Sequence, residues 1–103
     1  MKEDTAMRNV YLVCYDVANA KRLRRTHKKM CGFGTPLQYS VFRCELSATE
    51  RHRLKEALWE ILKWEQDRVM VVDLGPCGAR GDGCVEFWGE PRVEPLDRGP
   101  VVV

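Results

Sequence analysis

Residues Val10 to Tyr15 read Val-Tyr-Leu-Val-Cys-Tyr, six apolar, β-favouring positions in a row with no polar residue between them. An unbroken run of strand length is the pattern of a strand buried on both faces in the middle of a sheet. The chain must therefore supply neighbours on both edges of this strand and cover for its faces. It has 103 residues in which to do so, enough for one domain. The balance of 45% hydrophobic and 31% charged residues is that of a globular chain.

The remaining elements follow from local signals. Asn19 is placed to cap a helix running to about Met30, with Gly32 and Gly34 as its stop. Leu37 to Leu46, rich in Tyr, Val and Phe, is read as the second strand. Ser47-Ala-Thr-Glu50 is a capping box, and Leu54, Ala57, Leu58, Ile61, Leu62 and Trp64 follow at helical spacing. Arg68 to Leu74 is a third strand, closed by Gly75-Pro76, and Cys84 to Trp88 is read as a short fourth. The polar residues 1–6 form an N-terminal extension, 7–91 the domain, and 92–103 a tail able to add a strand.

Four strands and two helices fit an α+β, ferredoxin-like βαββαβ fold. Right-handed crossovers then put both helices on one face of a four-stranded antiparallel sheet. The other face needs a cover, and a homodimer packed through the sheets supplies it economically. The fold alone carries no function.

Five cysteines (Cys14, Cys31, Cys44, Cys77 and Cys84) form no Cys-x-x-Cys pair, and His27 and His52 lie far apart. The pattern reads as free buried thiols of a reducing cytoplasm rather than a disulfide framework or zinc site. No apolar run approaches the roughly 20 residues of a membrane span, and no signal peptide is expected.

Two features bear on chemistry. Asp16 directly follows the central strand and is the only acid between Asp4 and Glu45. A strand end fixes its carboxylate in space, where it can face a metal; its alternative role is to cap the next turn or pair with an arginine. One carboxylate does not make a magnesium site, so a second copy from a two-fold axis is needed. The first helix carries Lys21, Arg22, Arg24, Arg25, Lys28 and Lys29 around a narrow apolar stripe of Ala20, Leu23, His27, Met30 and Cys31. No acid is interleaved to pair these cations, which suits them to phosphates. Residues 1–46 hold nine Lys/Arg against four Asp/Glu, whereas 47–103 hold eight against eleven. His27 is read as a core histidine, and Gly75 to Gly83 as a connecting loop without the ending of a phosphate-binding one.

Taken together, Tyr11-Leu-Val-Cys-Tyr-Asp16, Lys21-Arg22-Leu-Arg24-Arg25 and Gln38-Tyr-Ser-Val-Phe42 resemble CRISPR-associated protein two, the small partner of the CRISPR adaptation integrase. Gly75-Pro76 and Glu86-Phe-Trp-Gly89 extend the resemblance, which runs from about Met7 to Pro91. The resemblance implies a homodimer with Asp16 of each chain facing Mg2+ or Mn2+. It further implies Tyr15, Arg22, Arg24 and Phe42 as functional positions that contact nucleic acid beside the other helix cations. The implied activity is endonucleolytic, on single-stranded RNA or double-stranded DNA. The implied role is spacer acquisition in a prokaryotic cytoplasm, with the dimer lying on duplex DNA and bridging integrase subunits. A purely structural scaffold is the first alternative and a toxin-type endoribonuclease of the same fold the second.

Overall fold

In a computed structural model of the chain, residues 7–89 are described. The readings of 1–6 and 92–103, including the added tail strand, lie outside the described residues. The elements run β1 (Asn9–Asp16), α1 (Ala20–Met30), β2 (Thr35–Gln38), β3 (Val41–Leu46), α2 (Ala48–Trp59) and β4 (Arg68–Pro76), followed by a single 3-10 turn at Arg80–Gly83. The sheet order is β2-β3-β1-β4, and each neighbouring pair is antiparallel. This is the ferredoxin-like arrangement, with the long apolar run of β1 at the centre.

Two segments differ from the sequence reading. Leu37–Leu46 is not one strand: a turn at Tyr39-Ser40 folds it into a hairpin, so that Thr35 faces Arg43 and Pro36 faces Phe42. Cys84–Trp88 is not a strand at all. The hairpin therefore supplies the pair of strands that the fold needs between its helices. Gly34 explains how tightly the hairpin enters the sheet, since a Cβ there would run into the Arg43 carbonyl and the Cys44 sulfur.

Alternation along β1 and β3 defines two faces. Tyr11, Val13 and Tyr15 pack with Phe42, Cys44 and Leu46 beneath the helices, joined by Met30, Leu54, Leu58, Ile61 and Leu62. The opposite face carries Leu12, Cys14, Val41, Met70 and Val72, with Leu12 opposite Val72 and Cys14 between Val41 and Met70. There the cover is partial. Val10 alternates onto this face with Leu12, and Gly81 of the 3-10 turn closes over it; the register shift beside it leaves Leu74 of β4 as the extra residue. Asp82 of the same turn pairs with Arg43 on β3. The other half stays open, with Met70 57% and Val72 36% exposed.

Both helix starts are built as read. The Asn19 side chain accepts from the Arg22 N–H, and Ser47 and Glu50 complete a reciprocal capping box. In α2, Leu54 and Leu58 are buried and the helix ends at Trp59, so Ile61 and Leu62 reach the core from the turn beyond it. The buried line of α1 differs from the expected stripe. Thr26 and Met30 point inward, whereas Leu23 and Cys31 are exposed. Of the five free thiols only Cys44 is buried, which corrects the reading of buried cysteines throughout.

Candidate nucleic-acid interface and acidic site

Asp16 is the last residue of β1, exposed, with its Cα opposite that of Arg68 at the start of β4. Strand alternation places it on the open face, two positions beyond Cys14. Among the described residues no group of three His, Cys, Asp or Glu side chains could hold a metal ion. On one chain Asp16 therefore belongs to no such group.

Tyr15 and Phe42 lie on the other side of the sheet. Phe42 is fully buried and Tyr15 6% exposed, their rings 6.2 Å apart, with His27 edge-on to Phe42. The Tyr15 hydroxyl meets His27 Nδ1 at 3.4 Å, and burial pushes its pKa up to about 12. Neither ring is available for stacking on a base in this chain, which corrects their reading as nucleic-acid contacts. They are core residues, and truncating a buried aromatic ring typically costs about 3–5 kcal/mol of stability. They and Asp16 do not form one cluster. His27, read as a core histidine, is half-buried at the same place, against the Phe42 ring and the Tyr15 hydroxyl.

The cations of α1 divide. Lys21, Arg24, Arg25, Lys28 and Lys29 are exposed. Arg22 is not a free cation. Its Nε donates to Asp67 Oδ2 at 2.8 Å and its Nη2 to Asp67 Oδ1 at 3.0 Å and Gln66 Oε1 at 3.1 Å. The Asp67 side chain is wholly buried and also accepts from the backbone N–H groups of Ala18 and Lys63, both at 2.9 Å. The Arg22 guanidinium holds this carboxyl far below its usual range; burial opposes that, and the two backbone donors reinforce it. The fork also explains the orientation of α1: Arg22, Thr26 and Met30, spaced by four, form its inward line. Asp67 is the residue that sequence reasoning missed. Its one local signal is its place just before β4, beside a turn.

A second aromatic group borders α2. Trp59 and Trp64 pack with centroids 4.6 Å apart and ring planes tilted by 39°, and both line a groove of about 340 Å³ shared with Val13, Val69 and Val71. Lys55 lies over Trp59, at 5.4 Å from its ring centre.

The profile of the family described as CRISPR associated protein Cas2 matches residues 8–78. The chain belongs to the Cas2 family. CRISPR-associated endoribonuclease Cas2 of Geobacter sulfurreducens is 43% identical over 70 residues, covering 68% of this chain and 74% of the relative. CRISPR-associated endoribonuclease Cas2 1 of Rhodospirillum rubrum is 36% identical over 95 residues, covering 92% and 91%. Among solved structures, Streptococcus pyogenes Cas2 superposes with a TM-score of 0.68 at 30% identity, over 78% of this chain and 99% of that one. The ferredoxin-like reading and the resemblance thus agree with the Cas2 fold. No helix among the described residues is long and apolar enough to cross a membrane.

Proposed function

We propose that this Cas2 chain works as a two-fold dimer that binds nucleic acid along α1 and cleaves phosphodiester bonds at paired Asp16 carboxylates. The observation that carries the reading is the position of Asp16: exposed, at the end of the central strand, on the margin of an uncovered apolar sheet face. Packing two such faces together brings two copies of one rigidly placed acid toward a common axis. The family relatives named endoribonuclease support phosphodiester hydrolysis, with single-stranded RNA as the first substrate to try and duplex DNA as the second.

The paired Asp16 carboxylates would hold Mg2+ or Mn2+, an oxygen-ligand cation of the kind that polarises a phosphoryl oxygen and acidifies bound water. Arg24 and Arg25, with Lys21, Lys28 and Lys29, hold the neighbouring phosphates and orient the strand. The Tyr15 phenol stays protonated at neutral pH and takes no part as a base. The wider role we assign is spacer acquisition in a prokaryotic cytoplasm, with the dimer on duplex DNA between integrase subunits. A scaffold without catalysis is the second reading, favoured by the breadth of the exposed α1 cation surface and by the lack, among the described residues, of any cluster of three metal-ligating side chains.

The deciding experiment compares wild type with Asp16→Asn on labelled single-stranded RNA and duplex DNA, with magnesium, manganese or chelator. Cleavage that needs metal and disappears in Asp16→Asn, with dimer and binding intact, is the expected result. Cleavage undiminished in the variant removes Asp16 from the reaction. Binding with no cleavage in either protein leaves the scaffold.

A further inference from the structure

We infer that Arg22 and Asp67 act together as positioning residues that hold the Asp16 backbone, and that Arg22 is not one of the phosphate contacts. The inference rests on the proposed role of Asp16 and reassigns the one α1 cation that the structure withdraws from solvent.

The Asp16 side chain is exposed, so its place in space is set by its backbone. That backbone is bordered twice by groups tied to Asp67. Ala18, two residues downstream, donates its N–H to Asp67 Oδ1. Arg68, whose Cα is the ladder partner of Asp16, is covalently next to Asp67. The same carboxylate takes the Lys63 N–H, which anchors the connection from α2, and the fork of Arg22, which anchors the first turn of α1. One buried group thus joins the strand end, the following helix and the adjoining strand.

Arg22 uses Nε and Nη2 in this fork, and its side chain is 14% exposed. Turning it outward to a phosphate would leave a buried carboxylate without its counter-ion. Lysine, a single point charge, cannot reproduce the two-toothed geometry. Arg24 and Arg25, one and two residues beyond Leu23, are exposed and carry no such commitment.

The test compares Arg22→Ala, Arg22→Lys, Asp67→Asn and Arg24→Ala in the full-length protein, using labelled single-stranded RNA. Binding is titrated across salt concentration, single-turnover cleavage is followed with metal, and amide exchange is read at Val17 and Ala18. A phosphate contact removed from a single strand lowers the slope of log K against log salt by about 0.7. Arg24→Ala is expected to show that drop, and the Arg22 and Asp67 variants are expected to keep the wild-type slope. Those three variants instead speed exchange at Ala18 and lower kcat about 10- to 100-fold with KM unchanged, as displacement of a reacting group does. Arg22→Lys fares no better than Arg22→Ala, and a double variant combining Arg22→Ala with Asp67→Asn is no worse than either single change.

A slope that falls in Arg22→Ala but not in Asp67→Asn, with exchange unchanged, overturns the inference and restores Arg22 as a contact. Recovery of both kcat and exchange in Arg22→Lys also overturns it. If Arg22→Ala does not fold, Arg22→Lys and Asp67→Asn carry the comparison. If the wild-type protein binds RNA without cleaving it, the catalytic reading of Asp16 has failed. The salt slopes and exchange rates then still decide what Arg22 holds.

Discussion

A buried carboxylate with four donors around it is a pH-sensitive fastening, and its sign can be worked out. Asp67 has its folded pKa depressed, first by Arg22 and then by the Ala18 and Lys63 N–H groups, against the opposing effect of burial. A depressed folded pKa gives stability that is fully present above the unfolded value of about 4 and is lost as pH falls below it. Urea unfolding of the wild-type protein should therefore show stability declining from about pH 4 downward. Asp67→Asn should be less stable by about 2 kcal/mol at pH 7, with a flatter acid limb. Parallel curves for the two proteins would remove Asp67 from the acid response. At this scale the sequence is informative about Asp16 and silent about Asp67. Asp16 announces itself as a lone acid ending an apolar run. The partner of Arg22 lies 45 residues away, in the connection before β4, which no local pattern ties to α1. The absence of interleaved acids within the helix was a sound observation, but it says nothing of acids that arrive from elsewhere in the fold.

Among the elements, those with their own terminal signals were legible. Asn19 and the Ser47–Glu50 box start their helices as the residues imply, because capping is decided within four residues. The β2–β3 hairpin was hidden because Tyr39 and Ser40 turn the chain without glycine in a stretch otherwise rich in strand formers. Cys84–Trp88 shows the converse, a strand-like composition that stays outside the sheet. The 3-10 turn before it was unreadable as a cover, since what makes it one is backbone proximity. A Cβ on Gly81 would lie 2.6 Å from the Gly75 carbonyl and 2.9 Å from Val10 Cγ2. Gly81→Ala should accordingly lower stability by about 1–3 kcal/mol through overpacking. Gly83→Ala, with nothing within 4 Å of its added carbon, should stay within about 0.5 kcal/mol of wild type. Equal effects in chemical denaturation would mean that the turn is not packed on Val10.

For the whole molecule, the decisive asymmetry is between the two faces of the sheet. The helices bury one, and the 3-10 turn with its Arg43–Asp82 pair closes only the Val10 end of the other. What is left, Leu12, Cys14, Val41, Met70 and Val72, is a contiguous apolar patch flanked by the exposed Asp16. A patch of this kind on a small chain is more naturally an interface than a solvated surface. The sheet-to-sheet dimer we propose would account for both its composition and the exposed acid at its margin. On that reading, association and chemistry fail together. Val72→Glu places a charge within the patch, opposite Leu12, while leaving the helix-facing core untouched. The variant should fold, as followed by circular dichroism, and sediment as a monomer where the wild-type protein is expected to sediment as a dimer. It should also lose metal-dependent cleavage, because each monomer keeps only one carboxylate. Because the α1 cations face away from the changed surface, each monomer should still bind RNA with salt dependence of the wild-type kind. A Val72→Glu protein that remains dimeric would move the interface to another surface. One that is monomeric yet cleaves at the wild-type rate would show that a single Asp16 suffices, and the reason for pairing two copies would then have to be sought in the nucleic acid they span.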